Sequence, residues 1–203
     1  MEAQYVKSVY SPADLPRDRK TEIAIAGKSN VGKSSLLNRL AARHHLAKTS
    51  RTPGKTRCLN FFLFETGSGQ PFYVVDLPGY GYARVSKKMR DDWSILIEAY
   101  LDSPERPAGV IALFDARREP TEEDREWLAW LANGRRPFLT VLTKCDKLSG
   151  NQRAQALRRW TVEGPDGPVA PLATSAVTGV GKDKIWSWID NVRRTAGSRT
   201  ASS

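Results

Sequence analysis

A three-layer α/β/α fold, with a six-stranded, mostly parallel sheet and one antiparallel strand, is predicted by three observations. Short apolar runs alternate with stretches of helical periodicity along the chain. Most of those runs are continuous rather than alternating, as in strands buried on both faces. Two of them, Leu59–Phe64 and Phe72–Asp76, are separated only by the turn-rich ETGSGQP, which makes the pair a hairpin.

Each element follows from its own pattern. Glu22–Ala26 (EIAIA) reads as the first strand, and a glycine-rich loop leads from it into a helix over about Lys33–Ala42. Beyond the hairpin, Lys87–Leu101 carries Trp93, Leu96, Ile97, Tyr100 and Leu101 at spacings of three and four, which is one face of a helix. Gly109–Asp115 (GVIALFD) is a strand. Thr121–Ala132 opens on Thr-Glu-Glu-Asp, a helix start. Phe138–Thr143 is a strand, Asn151–Trp160 a helix, and Val169–Ala173 a shorter strand. In the last helix, Lys182–Arg194, the residues Ile185, Trp188, Ile189 and Val192 share a face, and ordinary core packing accounts for that stripe. The 203 residues are expected to form one domain with its core at about 21–196. Residues 1–20 are expected to be peripheral, and 197–203 (GSRTASS) a flexible tail.

Composition narrows the function classes. No run of about 18 apolar residues exists, so a spanning helix is not expected. The N-terminus lacks the apolar middle of an export signal. Cys58 and Cys145 lie far apart, without metal-ligand spacing, and read as reduced thiols of a cytoplasmic protein. Lys plus Arg number 32 against 22 Asp plus Glu, a net charge of +10. A field of that sign favours a polyanionic partner, although it also serves plain solubility. From Arg39 to Arg57 there are six basic residues (Arg39, Arg43, Lys48, Arg51, Lys55, Arg57) and no acid. His44 and His45 fall in that stretch and read as surface residues.

The motifs point to phosphate chemistry. Gly27-Lys28-Ser29-Asn30-Val31-Gly32-Lys33-Ser34 is a full GxxxxGK[ST] loop between a strand and a helix, the context the motif requires. Its backbone N–H groups can wrap phosphate oxygens, Lys33 can reach the outer phosphates, and Ser34 can bind Mg2+. Asp76-Leu77-Pro78-Gly79 ends the strand FYVVD. Asp76 can hold Mg2+ through water, and the Gly79 N–H can sense a terminal phosphate. Thr143-Lys144-Cys145-Asp146 follows the strand FLTVL. A single carboxylate there accepts both guanine N1–H and the exocyclic amine, and adenine has no such donor pair. Lys144 can lie over the base plane and brace the phosphate loop. Thr174-Ser175-Ala176 follows the last strand, where the Ala176 N–H can bond guanine O6. In Arg51-Thr52-Pro53-Gly54-Lys55-Thr56, Thr52 and Thr56 are both candidates for a second hydroxyl on Mg2+, with Thr56 favoured because it lies just before the strand.

These five motifs in this order resemble the translation-factor-related GTPases. GKSNVGKSSLLNRL, RTPGKTRCLNFF, DLPGYGYARV and TKCD together resemble the EngB family of bacterial GTP-binding proteins, over roughly residues 5–195. The resemblance implies a P-loop GTPase G domain that binds GTP and GDP with Mg2+. It also implies a part in assembly of the large ribosomal subunit and in normal division and septation. The implied nucleotide contacts are Gly27–Ser34, Gly54–Cys58 (with Lys55, Thr56 and Arg57), Asp76–Gly79, Thr143–Asp146 and Thr174–Ala176, and the implied Mg2+ ligands are Ser34 and Thr56.

Lys33, Thr56, Gly79 and Asn30 are the expected catalytic set. Tyr80 stands where many GTPases carry a water-orienting Gln, so intrinsic hydrolysis is expected to be slow. Asn30 is a candidate K+ ligand and, equally, a residue that stabilises the loop's turn. The expected partners are guanine nucleotide and the large ribosomal subunit or its precursor. No membrane insertion is expected, and the protein is expected to be a monomer. A nucleotide-controlled scaffold at the division septum is the alternative.

Overall fold

The computed structural model describes residues 2–47, 58–67, 69–79, 95–134, 136–164 and 167–200. A seven-stranded sheet runs through it in the order β1 (Glu2–Val9), β3 (Leu59–Glu65), β4 (Phe72–Asp76), β2 (Glu22–Gly27), β5 (Gly109–Asp115), β6 (Phe138–Thr143) and β9 (Leu172–Ala173). β3 pairs antiparallel with both β1 and β4, and every other pair is parallel. β3 is therefore the single reversed strand, and β1 runs with the rest.

The seventh strand corrects the expected count of six. The N-terminal segment supplies it, pairing Glu2 with Glu65 through Val9 with Leu59, with an irregularity between Tyr5 and Lys7. Its polar sequence gives no strand signal because an edge strand needs to bury only Ala3 and Val9. A second difference lies near β9. The expected strand Val169–Ala173 is split, Gly167–Val169 (β8) pairing instead with Val162–Gly164 (β7) in a separate two-stranded sheet. Pro168 and Pro171 interrupt backbone donors there, which keeps the stretch out of a continuous ladder.

Side chains alternate across the central strands, and each face collects its own helices. Ala24, Ala26, Tyr73, Val75, Val110, Ala112 and Phe114 face one layer. Ile23, Ile25, Phe72, Val74, Ile111 and Leu113 face the other. On the first side lie the helical residues 95–101 (α2), α3 (Glu122–Asn133) and α4 (Gly150–Arg159), through Leu96, Tyr100, Leu128, Leu131 and Ala156. On the second lie α1 (Lys33–Leu40) and α5 (Lys182–Thr200), through Leu36, Leu37, Leu40, Ile185, Ile189 and Val192. Burial on both faces explains why β2, β4 and β5 have no polar alternation.

α3 starts where its sequence signature places it. The Thr121 hydroxyl accepts from the Asp124 N–H, and the Asp124 carboxylate accepts from the Thr121 N–H at 3.0 Å. α5 continues past Arg194 to Thr200, so the expected tail is helical in its first residues. The apolar stripe ends at Val192, which is why periodicity stops short of the true end. Residues 87–94 of the expected second helix lie outside the described residues.

β2 lies between β4 and β5, where the direction of strand progression reverses. The C-terminal ends of the parallel strands beside such a point form a crevice suited to a ligand. Gly27, Asp76, Asp115 and Thr143 end β2, β4, β5 and β6, and Thr174 follows β9.

Candidate nucleotide-binding site

The phosphate loop is built by backbone conformations that few residues adopt. Gly32, the residue before α1, has φ +118°, and Asn30 has φ +59°. Asparagine tolerates the left-handed region, so the turn-stabilising reading of Asn30 has a direct geometric basis. Lys33, the first residue of α1, curls back so that its Nζ donates to the Gly27 carbonyl at 2.9 Å. Ser34 follows it, half-buried.

Asp76 and Lys33 face each other electrostatically across this loop. Burial pushes the Lys33 ammonium below its ordinary value, and the Asp76 charge opposes that. Burial raises the Asp76 carboxyl to about 6, with Lys33 pulling the other way. Asp76 Oδ1 is buried and meets no hydrogen-bond donor among the described residues. A buried, unsatisfied carboxylate oxygen beside a phosphate loop fits a hydrated divalent cation. Among the described residues no three His, Cys, Asp or Glu side chains converge.

The four described motifs are knitted together. Leu77 N–H donates to Ile25 O at 2.9 Å, and Pro78 is buried. Gly79 lies against the phosphate loop: a Cβ there would sit 2.9 Å from Ser29 N and 3.2 Å from Lys33 Nζ. Thr143 Oγ1 donates to Val31 O at 2.6 Å. Lys144, with φ +61°, donates from Nζ to Asn30 O at 2.7 Å. The Cys145 N–H donates to Thr174 O at 3.0 Å. Asp146 is held below the ordinary carboxylate range, chiefly by a hydrogen bond from the Ser175 hydroxyl. Ser175 in turn accepts from the N–H groups of Val177 and Thr178, at 3.2 and 3.1 Å. Cys58 and Cys145 are both buried free thiols.

Three residues at the site carry no motif. Asp115 accepts from Lys144 Nζ at 2.9 Å and from Arg117 Nε and Nη2 at 2.9 and 2.7 Å. Burial would raise its carboxyl, but those hydrogen bonds hold it well below the ordinary range. Its position at the end of a strand beside β2 was the available signal. Arg39 of α1 donates to the carbonyls of Ala176 and Val177. Arg39 is thus committed inside the protein rather than offered to a polyanion. Arg193 is likewise held, against Gln70 O and the Phe72 ring, and Arg159 pairs with Glu119. Arg43, His44 and His45 are exposed, as expected.

Lys28 has its side chain engaged outside the phosphate loop. Its side chain turns away from the phosphate cradle and pairs with Asp124 at 2.9 Å and Glu123 at 3.2 Å at the start of α3. Only its backbone remains for a nucleotide. Gly54, Lys55, Thr56 and Arg57, with Thr52 and Tyr80, lie outside the described residues.

Residues 22–144 match the sequence family described as 50S ribosome-binding GTPase. A probable GTP-binding protein EngB of Citrifermentans bemidjiense is 41% identical over 199 residues, 98% of this chain and 91% of the relative. The chain belongs to the EngB family of GTP-binding proteins. It is a P-loop GTPase and binds guanine nucleotide. A probable EngB of Chlorobium luteolum is 44% identical over 93% of this chain and 89% of its own length. The same fold recurs in the crystal structure of a probable GTP-binding protein engB, with TM-score 0.57 and 21% identity, covering 86% of this chain and all 100% of that one. It recurs again in a single-substitution variant of Aquifex aeolicus Era bound to GDP.AlF4-, with TM-score 0.66 and 22% identity, covering 84% of this chain and 56% of that one. Among the described residues no helix is long and apolar enough to cross a membrane.

Proposed function

We propose that this EngB-family GTPase is a Mg2+-dependent switch that acts in the cytoplasm, as a monomer, in assembly of the large ribosomal subunit, and that normal division and septation depend on it. The observation that carries the switch is Gly79 pressed against Ser29 and Lys33. A phosphate gained or lost in the loop must move that peptide, and with it the chain that follows. Ser34 and Thr56 would supply hydroxyls to Mg2+, and Asp76 would hold it through water. When bound there, Mg2+ would neutralise charge on the phosphates.

Asp146, held ionised by Ser175, accepts guanine N1–H and the exocyclic amine, and the Ala176 N–H meets O6. Lys33, Thr56 and Gly79 stabilise the developing charge. Hydrolysis is slow because Tyr80 cannot orient water as Gln does, and K+ held by Asn30 or contact with the ribosome accelerates it. The basic residues of the segments at about 44–58 and 79–90 contact ribosomal RNA in one nucleotide state. The net charge of +10 and the family's description as 50S ribosome-binding support that partner. Affinity for such a surface falls steeply with salt.

Calorimetric titration of GTP, GDP and ATP with Mg2+, beside an Asp146→Asn variant, tests the base reading. Binding of GTP and GDP but not ATP, with preference moved to xanthine nucleotides in the variant, supports it, and equal ATP binding refutes it. Sedimentation of a lysate with a GTP analogue tests the partner. Co-migration with 50S particles supports ribosome assembly. Its absence, with localisation to the division site, favours a nucleotide-controlled scaffold at the septum.

A further inference from the structure

We propose that Arg39 is a positioning residue for base specificity, holding the peptide whose N–H reads guanine O6. The inference rests on the guanine reading above. Arg39 lies near the end of α1, the helix that begins with Lys33 and Ser34. Its Nε donates to Ala176 O at 2.6 Å, and its Nη2 donates to Val177 O.

The turn around them is arranged to receive it. The N–H groups of Val177 and Thr178 point inward to Ser175 Oγ, and the Gly179 N–H donates to Ser175 O at 2.9 Å. The carbonyls of Ala176 and Val177 are thereby left for the guanidinium. Gly179, at φ +84°, brings the chain within contact, a Cβ there lying 3.9 Å from Arg39 Cζ. Val177 is 74% exposed, so apolar packing does not fix this turn.

Ala176 is thus held from both sides. The preceding residue, Ser175, accepts from the N–H groups of Val177 and Thr178, and the Ala176 carbonyl is pinned by Arg39. Among the described residues the Ala176 N–H itself meets no acceptor. A planar guanidinium fixes two acceptors in one geometry, which a lysine ammonium does not reproduce. One rigid helix therefore ties the phosphate end of the site to its base end.

The test compares GTP with the triphosphate of 2-aminopurine riboside, which keeps the N2 amine but lacks O6 and with it the N1–H. The N1–H loss is common to wild type and variants, so the change in the GTP-to-analogue ratio reads the O6 contact. Both are titrated into wild type, Arg39→Ala and Arg39→Lys. In Arg39→Ala, GTP affinity is expected to fall about tenfold while the analogue stays within about twofold, with Arg39→Lys between. Equal losses for both nucleotides, or no loss for GTP, overturn the proposal. Retained binding of the analogue also reports that the variant is folded. The Asp146→Asn variant with xanthosine triphosphate separates the two failures. If it fails to exchange guanine for xanthine, the guanine reading falls. If it does exchange and Arg39→Ala discriminates as wild type does, only the role of Arg39 falls.

Discussion

Lys144 Nζ donates to the carbonyl of Asn30 at 2.7 Å, so one side chain joins the TKCD turn to the phosphate loop. The same ammonium donates to Asp115 at 2.9 Å, which fixes its direction. Charged hydrogen bonds of this kind contribute about 1.5–3 kcal/mol each. Lys144→Ala is therefore expected to weaken GTP and GDP together by about 10- to 100-fold. Asp115→Asn, which keeps the acceptor but loses the charge, is expected to have a smaller effect in the same direction. Calorimetry with both nucleotides checks this. An unchanged affinity in Lys144→Ala would mean that the brace does not matter to the site.

Asp76 makes the stability of the nucleotide-free protein depend on pH. Its carboxyl is raised from 3.8 to about 6 by burial, with Lys33 opposing. A carboxyl with a higher pKa folded than unfolded takes up a proton on folding between those values. Its stabilising contribution is full below about 3.8 and is lost as pH rises through about 6. Asp115 and Asp146 are shifted downward, so their contributions are instead lost as pH falls. The clean observable is the difference between wild type and Asp76→Asn. Between pH 4 and 7 the variant should gain on wild type by about 2 kcal/mol. Urea midpoints across that range measure it. A difference independent of pH would show that Asp76 does not titrate there.

The capping box of α3 also anchors the phosphate loop, because Lys28 donates to Thr121 Oγ1 at 2.7 Å and pairs with Asp124. Thr121→Ala removes a cap and one Lys28 contact. It is expected to cost about 1 kcal/mol. Urea denaturation reads the stability change, and a Thr121→Ser variant should recover most of it. No recovery with serine would assign the loss to the missing methyl group rather than to the cap.

Gly79 has no room for a side chain against the Ser29 backbone. Gly79→Ala is expected to destabilise the protein by about 1–3 kcal/mol through forced displacement. It should also slow GTP hydrolysis more than it weakens GDP binding, since GDP lacks the terminal phosphate. Thermal unfolding and single-turnover hydrolysis test the two parts separately. Equal effects on GTP turnover and GDP affinity would remove Gly79 from phosphate sensing.

Much of this molecule was legible in its residues. The continuous apolar runs at β2, β4 and β5 declared strands covered on both faces, and the glycine-rich loop declared its own strand and helix. β1 was not legible because a strand paired on one side buries few side chains, and Glu2–Val9 looks like a polar leader. The end of α5 was hidden because its last turns have no apolar stripe. Lys28 reads as part of a phosphate motif, yet its long side chain follows Asp124 and Glu123, which are remote in sequence.

The sequence by itself determined the motifs, their order and the strand ends that carry them, since these depend on local pattern and on residue chemistry. Only the tertiary structure decided which side chains serve the site without belonging to a motif. Arg39 meets Ala176, and Asp115 meets Lys144, because the sheet order places β5, β6 and β9 side by side and lays α1 against their loops. Such pairings join residues far apart in the chain, and hydrogen-bond geometry, which acts over a few ångströms, selects them only once packing has brought them together.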